Sequence, residues 1–179
     1  MSLGQKLSEK LHLMQRLEDQ MHFSVRHTEG DEKGYRLSEQ EGPVAATVVI
    51  PDMDKYSLVV SSIELEHRDF KPTAPVAELL SRQAEIISKN VTYLKEKLVL
   101  IELDELNGAA QIRSAAPWCE NGSVQYFELV LQEGRRAILK RYEKRQTENE
   151  RQDVPFLLTE DIFPRLMDDL SKIWHTPSR

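Results

Sequence analysis

Apolar and polar positions alternate in two neighbouring stretches, and this period of two predicts consecutive β-hairpins in the second half of the chain. The first hairpin is centred on the Asn-Gly pair at 107–108. A two-residue type I′ loop needs positive φ at both central positions, and Asn-Gly adopts this conformation at the least cost. With that loop, Leu103 pairs with Ile112 and Glu102 pairs with Arg113. One face of the hairpin is then mostly apolar, and the other carries an acid–base pair.

The second hairpin has its turn signal at Gly134. A Gly-Arg loop at 134–135 pairs Glu128 with Arg141 and Phe127 with Tyr142. Moving the loop one residue earlier, to 133–134, pairs Glu128 with a leucine instead. The first register is favoured because it matches the partners across the strands.

Three stretches show the apolar period of a helix. They predict an N-terminal helix over 3–23, a middle helix over 76–97 and a last helix beyond Thr159, which suits the N-cap position. The stripe of the first helix contains Leu3, Leu7, Leu11, Met14, Leu17 and Met21.

The remaining segments complete a single domain over 1–179. A β-branched run at 44–50 and a second apolar stretch at 56–67 predict two more strands, and 154–158 predicts a short edge strand. The polar segments 24–43 and 144–153 read as loops, the first with one weak strand near 35–39. Strand clusters separated by helices indicate an α+β fold with a mainly antiparallel sheet. We expect the helices on one face and Glu102, Arg113, Glu128 and Arg141 on the other.

Composition narrows the classes of partner and the compartment. The chain has 40% hydrophobic and 30% charged residues, with a net charge of −6. This acidity disfavours nucleic acids and anionic membranes, which need clustered cations. No apolar run reaches the roughly 20 residues of a membrane-spanning helix, and no signal peptide is apparent. The single cysteine, Cys119, rules out an internal disulfide, so a cytoplasmic protein is expected.

The sequence carries no catalytic signature and predicts neither a metal nor a cofactor. No two of the five histidines have metal-binding helical spacing, and glycine-rich phosphate loops are absent. Asp52 and Asp54 resemble an acidic pair that holds a divalent ion, but Pro-Asp-x-Asp between strands favours a turn. Cys119 lies beside Glu120, which does not favour a thiolate, so it is interpreted as an incidental thiol.

Two features remain as candidate contact sites. Arg113 and Arg141 on the polar sheet face could hold an anionic ligand, although ion pairs with Glu102 and Glu128 on a solvated face are the favoured interpretation. Trp118, in the loop between the hairpins, either caps the end of the core or offers an aromatic ring to a partner. Capping is favoured because the side chain is large enough to seal a sheet edge.

The order of elements resembles that of the type III secretion chaperones: a helix, a few strands, a long helix, more antiparallel strands and a closing helix. The similarity is clearest over 157–170, where a strand, a cap and the closing helix follow one another. The strands within 111–144 exceed what a minimal chaperone of this kind needs. The resemblance implies an acidic, cytosolic, usually dimeric bacterial protein that binds extended segments of a client and has no catalytic residues.

These observations predict a protein that acts by protein–protein interaction. A homodimer is expected because the stripe of the N-terminal helix is wider than one sheet face can absorb, so that helix or the last one would form the contact. The first alternative is a small-molecule or anion-binding domain, or an enzyme, that uses Arg113 and Arg141. The second alternative is a structural subunit of a larger assembly.

Overall fold

A computed structural model describes residues 1–21 and 34–175, with the side chains of 17–21 left aside. The helices are α1 (Leu3–Met21), α2 (Val76–Asn90) and α3 (Ile162–Ser171), and a 3-10 turn follows at Lys172–Trp174. The strands are β1 (Tyr35–Glu41), β2 (Val44–Ile50), β3 (Asp52–Met53), β4 (Ser57–Val60), β5 (Ser62–His67), β6 (Leu98–Asp104), β7 (Ala109–Ser114), β8 (Trp118–Glu120), β9 (Ser123–Gln132), β10 (Arg136–Arg145), β11 (Gln152–Val154) and β12 (Phe156–Thr159). None of the described helices is long and apolar enough to cross a bilayer.

The strands form one large and one small antiparallel sheet, which confirms the α+β fold class. The large sheet runs in the order β1-β2-β5-β10-β9-β7-β6, with β11 beside β10 and β8 beside β9. The small sheet has the order β12-β4-β3. The strands at the two ends of the large sheet are therefore β1 and β6, and each pairs with only one neighbour in that path.

The three helices lie on one face of the large sheet and close a single apolar core, as predicted. Leu7 of α1, Leu80 of α2 and Phe163 of α3 are fully buried together with inward side chains of β2, β5 and β9. Complete burial of such side chains contributes roughly 1.5–3 kcal/mol each relative to leaving them in water.

Helices α1 and α3 cross closely because Gly4 faces the backbone of Pro164. A Cβ atom at position 4 would lie 2.1 Å from the Pro164 carbonyl oxygen, so any larger residue must push the helices apart. The Gly4 amide donates to Oδ1 of Asp168 at 2.7 Å, and the Ser2 hydroxyl donates to Oδ2 at 2.8 Å. The carboxylate thereby satisfies free donors at the start of α1.

The helix stripe used to predict a dimer contact is buried inside the monomer. Leu3, Leu7 and Leu11 are each at most 1% exposed, and Met14 packs against the same core. Leu17 and Met21 lie outside the described side chains. The stripe therefore gives no reason for dimerisation in the part of α1 that is described.

The first hairpin turns through a longer loop than predicted, so its predicted register is wrong. Asp104 pairs with Ala109, which leaves a four-residue loop at 105–108. Only Gly108 in this loop has positive φ, at 59°, so the turn is not type I′. The Asn107 amide and side chain both donate to the Asp104 carboxylate, at 3.0 and 2.7 Å, and this contact holds the wider turn.

A β-bulge at Ile101 shifts the first hairpin by one further residue. Glu102 lies opposite Gln111, and Val99 lies opposite Arg113. The predicted pairing of Glu102 with Arg113 is therefore wrong, and Glu102 makes no ion pair with any of the described residues.

The second hairpin uses three loop residues, 133–135, so the favoured register and its alternative are both wrong by one residue. Glu133 and Gly134 have φ values of 52° and 69°. Glu128 then lies opposite Lys140, and Phe127 lies opposite Arg141.

Several predicted boundaries also move. Lys144 and Arg145 belong to β10, and β11 begins at Gln152, so the predicted loop at 144–153 shrinks to 146–151. The segment 24–43 contains all of β1, while 24–33 lies outside the described residues. Helix α2 ends at Asn90 instead of 97. The N-cap position of α3 belongs to Asp161, because Thr159 is still in β12.

Candidate functional site: an open sheet edge

The outer face of the sheet, away from the helices, carries a buried carboxylate between two arginines. The Glu128 side chain is 2% exposed. Arg113, opposite it on β7, donates from Nε at 2.6 Å, and Arg151 donates from both terminal nitrogens at 2.7 and 3.0 Å. The Arg151 guanidinium also lies 3.9 Å from the centre of the Tyr142 ring. The hydrogen bonds to Glu128 raise the pKa of Arg151 above its usual value.

This cluster anchors the 146–151 loop to the sheet, and its donors are directed at a carboxylate of the protein itself. A bidentate arginine–carboxylate pair is among the strongest charge-assisted hydrogen bonds in proteins. The predicted partner of Glu128 was Arg141, and that assignment is wrong.

Arg141 lies on the opposite, helix-covered face. Its terminal nitrogens contact the Glu96 carboxylate at 3.0 and 3.3 Å, and both side chains are less than 10% exposed. Ser114 donates to the same carboxylate at 3.2 Å, and the ring centre of Phe127 lies 4.6 Å from the guanidinium. Arg113 and Arg141 therefore do not share a face, and the predicted anion site built from both is wrong.

Glu96 and Arg151 are the two members of these ion pairs that sequence reasoning missed. Glu96 falls within the polar end of the predicted middle helix, and Arg151 falls within a charged loop. Both residues lie among other charged residues in the sequence, so nothing in the local pattern indicates that either one is buried or paired.

Trp118 does not seal the core. It pairs with Gln125 at the start of β8, is half-buried, and lies under Lys95, whose Nζ is 4.2 Å from its ring centre. Trp118 is not among the described side chains that form the core or pack against it. The favoured capping interpretation is therefore wrong, while presentation to a partner stays a prediction.

Sequence reasoning also missed a histidine–carboxylate contact. Nε2 of His12 on α1 hydrogen-bonds to Oε1 of Glu160 beside a cleft of about 710 Å³ that Arg16 and Lys55 also line. The two side chains are 43% and 36% exposed, so water screens the contact. The contact fastens α1 to the segment that enters α3.

The acidic pair at 52–54 forms a turn. Asp54 accepts hydrogen bonds from the amides of Tyr56 and Ser57 at 2.7 and 2.8 Å. Over residues 1–21 and 34–175, no group of three or more His, Cys, Asp or Glu side chains is placed to hold a metal ion. Cys119 is exposed.

The remaining candidate is the free edge of β6. Ala115 donates to the carbonyl of Lys97 at 2.8 Å, so position 97 faces the neighbouring chain. The backbone groups of successive residues in an antiparallel strand point alternately toward and away from the neighbouring strand. The bulge at Ile101 inserts one extra residue, so the alternation continues one position later beyond it. Leu98, Leu100 and Leu103 therefore direct their backbone groups away from β7. Leu98 is fully buried, so the open stretch covers residues 100–104, here called the β6 edge.

Apolar and acidic side chains line the β6 edge. Leu100 and Ile101 are 39% and 54% exposed, and Glu102 is also exposed. None of the described residues outside β7 and the 105–108 turn hydrogen-bonds to this stretch. At the end of the β6 edge, the Asp104 carboxyl keeps a pKa below its usual value, first because the Asn107 side chain donates to it and then because the Asn107 amide does.

This chain is an α+β protein with a large antiparallel sheet, helices on one face and an end strand, β6, whose outer backbone edge is unpaired. Comparisons with protein-family models, with curated proteins and with solved structures gave no match. The proposed function therefore rests on the geometry of this chain alone.

Proposed function

We propose that this protein acts by protein–protein interaction, and that it binds an extended segment of its partner by adding a strand at the β6 edge. The observation that carries the proposal is an end strand with unpaired backbone groups beside Leu100 and Ile101, both substantially exposed. In strand addition, backbone hydrogen bonds supply affinity and alternate side chains supply specificity.

Exposed edge strands usually carry a protecting device, such as an inward lysine, a proline or a covering loop. Strand β6 contains no lysine or proline. Its protecting devices among the described residues are the acidic side chains Glu102 and Asp104 and the bulge at Ile101, which limits how long an added strand can pair without interruption. A short and specific contact is therefore favoured over indefinite stacking.

The chaperone-like interpretation fits this mode of binding, because chaperones of the type that the chain resembles bind extended client segments. A cytoplasmic location and a protein without catalytic residues belong to the same proposal. A permanent subunit of a larger assembly would bind its partner at the same edge. Unlike a chaperone that releases its client, it would keep that partner after dilution. Homodimerisation stays a prediction.

Selection from a random peptide library displayed on phage tests the proposal. We expect enriched peptides that are extended in character and whose binding is lost in Ile101→Lys, which places a charge on the edge. Leu13→Lys is the matched control, because Leu13 is 50% exposed on α1 and lies far from β6 in the fold. Peptides that bind both variants equally, or a selection without enrichment, would contradict the proposal.

A further inference from the structure

The charges along the β6 edge point to one kind of added strand. Glu102 and Asp104 both lie on the outer face of the sheet, because they pair with Gln111 and Ala109, whereas Leu103 pairs with the buried Ala110. Leu100 pairs with the fully buried Ile112 and belongs to the helix-covered face. The edge thus presents acidic groups on one face and leucines on the other.

From this pattern we infer that the β6 edge binds an extended segment in which apolar residues alternate with lysine or arginine. Residues that are directly opposite in neighbouring strands share a face, so the basic side chains meet Glu102 and Asp104 while the apolar ones meet Leu100 and Leu103. The inference rests on the proposed function and adds the chemistry of the partner.

Charge argues against a second copy of the chain as the occupant. Pairing the strand with itself in antiparallel register about Leu103, whose backbone groups face the open side, sets Glu102 opposite Asp104 twice. Like charges directly opposite each other are destabilising. A basic, apolar segment removes this penalty.

Glu102 is suited to contact a basic side chain of the partner because none of the described residues forms an ion pair with it. It is also exposed, so its charge is available to a ligand. Asp104 also holds the 105–108 turn through Asn107, so Glu102 is the better position for a test substitution.

The experiment compares two labelled peptides of about six residues, a typical strand length. In one, valine alternates with lysine, and in the other valine alternates with glutamate. Fluorescence polarisation measures both against the full chain. Two favourable cross-strand charge pairs alone predict about 2- to 30-fold tighter binding of the lysine peptide, and the like-charge pairs of the glutamate peptide increase the difference. The preference should decrease at high salt, which screens exposed charges.

Glu102→Lys supplies the decisive variant, because it should lower or reverse the preference for the lysine peptide. Glu9→Lys makes the same change in net charge on the exposed face of α1 and should leave the preference intact. A preference that survives Glu102→Lys would overturn the inference, because binding would then lie elsewhere.

The outcomes separate the inference from the proposed function. Equal binding of both peptides, with loss of both in Ile101→Lys, would keep the edge as the binding surface and overturn the basic partner. If neither peptide binds, both the inference and the proposed function are contradicted. A dimer in sedimentation that Ile101→Lys abolishes would show a second copy on the edge and overturn the inference.

Discussion

The two ends of the large sheet are treated differently by the rest of the chain. At the β1 end, Lys10 of α1 donates to the Ser38 carbonyl at 2.7 Å, and Lys6 donates to the Gln40 carbonyl at 3.1 Å. The Gln40 amide is occupied as well, because it donates to the Glu39 carboxylate at 3.0 Å. At the β6 end, none of the described residues supplies such partners.

This difference between the two ends points to β6 as the candidate interaction surface. Lysines and covering elements are the usual means of blocking an edge against other chains. Helix α1 supplies two lysines that donate to the β1 backbone, whereas helix α2 packs on β6 without donating to its backbone. The unpaired backbone groups of β6 are therefore the ones available to a partner.

The most damaging change to the protected end is expected at Leu7. Leu7→Ala removes a fully buried side chain that holds α1 on the core, so the free energy of unfolding should fall by about 2–5 kcal/mol. Denaturant unfolding measures it. Leu13→Ala, at a half-exposed site on the same helix, should change stability by less than about 0.5 kcal/mol. Similar losses in the two variants would mean that α1 is not anchored as described.

A second change tests the close crossing of α1 and α3. Gly4→Ala places a Cβ atom against the Pro164 carbonyl, and overpacking of this kind costs about 1–3 kcal/mol. Thermal unfolding should show the loss, whereas Glu9→Ala, at an exposed position on the same helix, should not. An unchanged midpoint in Gly4→Ala would indicate that the two helices separate easily.

Removing the two lysines should make the β1 end resemble the β6 end. In the double variant Lys6→Ala, Lys10→Ala, two β1 carbonyls lose their donors, and we expect stability to fall by at most about 1 kcal/mol because the contacts are exposed. The peptide of alternating valine and lysine should gain weak binding that Ile101→Lys does not remove. Peptide binding confined to β6 in this double variant would show that α1, rather than its lysines, blocks the β1 edge.

The smallest effect is expected in the acid titration of the β6 end. Asn107→Ala removes the main donor to Asp104, so the pKa of that carboxyl should rise toward its usual value near about 3.9. A carboxyl with a lowered folded-state pKa stabilises the fold above its unfolded pKa, and this contribution is lost as pH falls through the folded value. Carbon-detected NMR follows the titration. An unchanged pKa would assign the lowering to backbone amides alone.

The sequence predicted the elements of this fold better than their connections. Alternation located β6, β7, β9 and β10, because the core face of each strand must be apolar. The predicted strand registers were wrong because register depends on the length of the turn. Turn length in turn depends on contacts that the alternating pattern does not show. In the first hairpin, the Asp104 carboxylate holds a four-residue turn, whereas Asn-Gly alone favours a two-residue turn. In the second hairpin, Glu133 and Gly134 both have positive φ, and the loop has three residues.

The candidate site was harder to predict because it depends on tertiary partners. The charge of Arg113 is taken up by the Glu128 carboxylate. Arg141 lies on the core face of β10, where a charged side chain is stable because Glu96 pairs with it. Leu100 and Ile101 are 39% and 54% exposed although both lie in a largely apolar strand. Their exposure follows from the place of β6 at the end of the sheet, which no local pattern reveals.

The most direct test of the open edge is amide hydrogen exchange, resolved by residue with NMR, in the presence and absence of the valine–lysine peptide. The account predicts that the amides of Leu100 and Leu103 become protected when the peptide binds, while those of Ser38 and Gln40 keep their rates. Protection at β1, or peptide binding that leaves β6 unchanged, would contradict the claim that the β6 edge is the interaction surface.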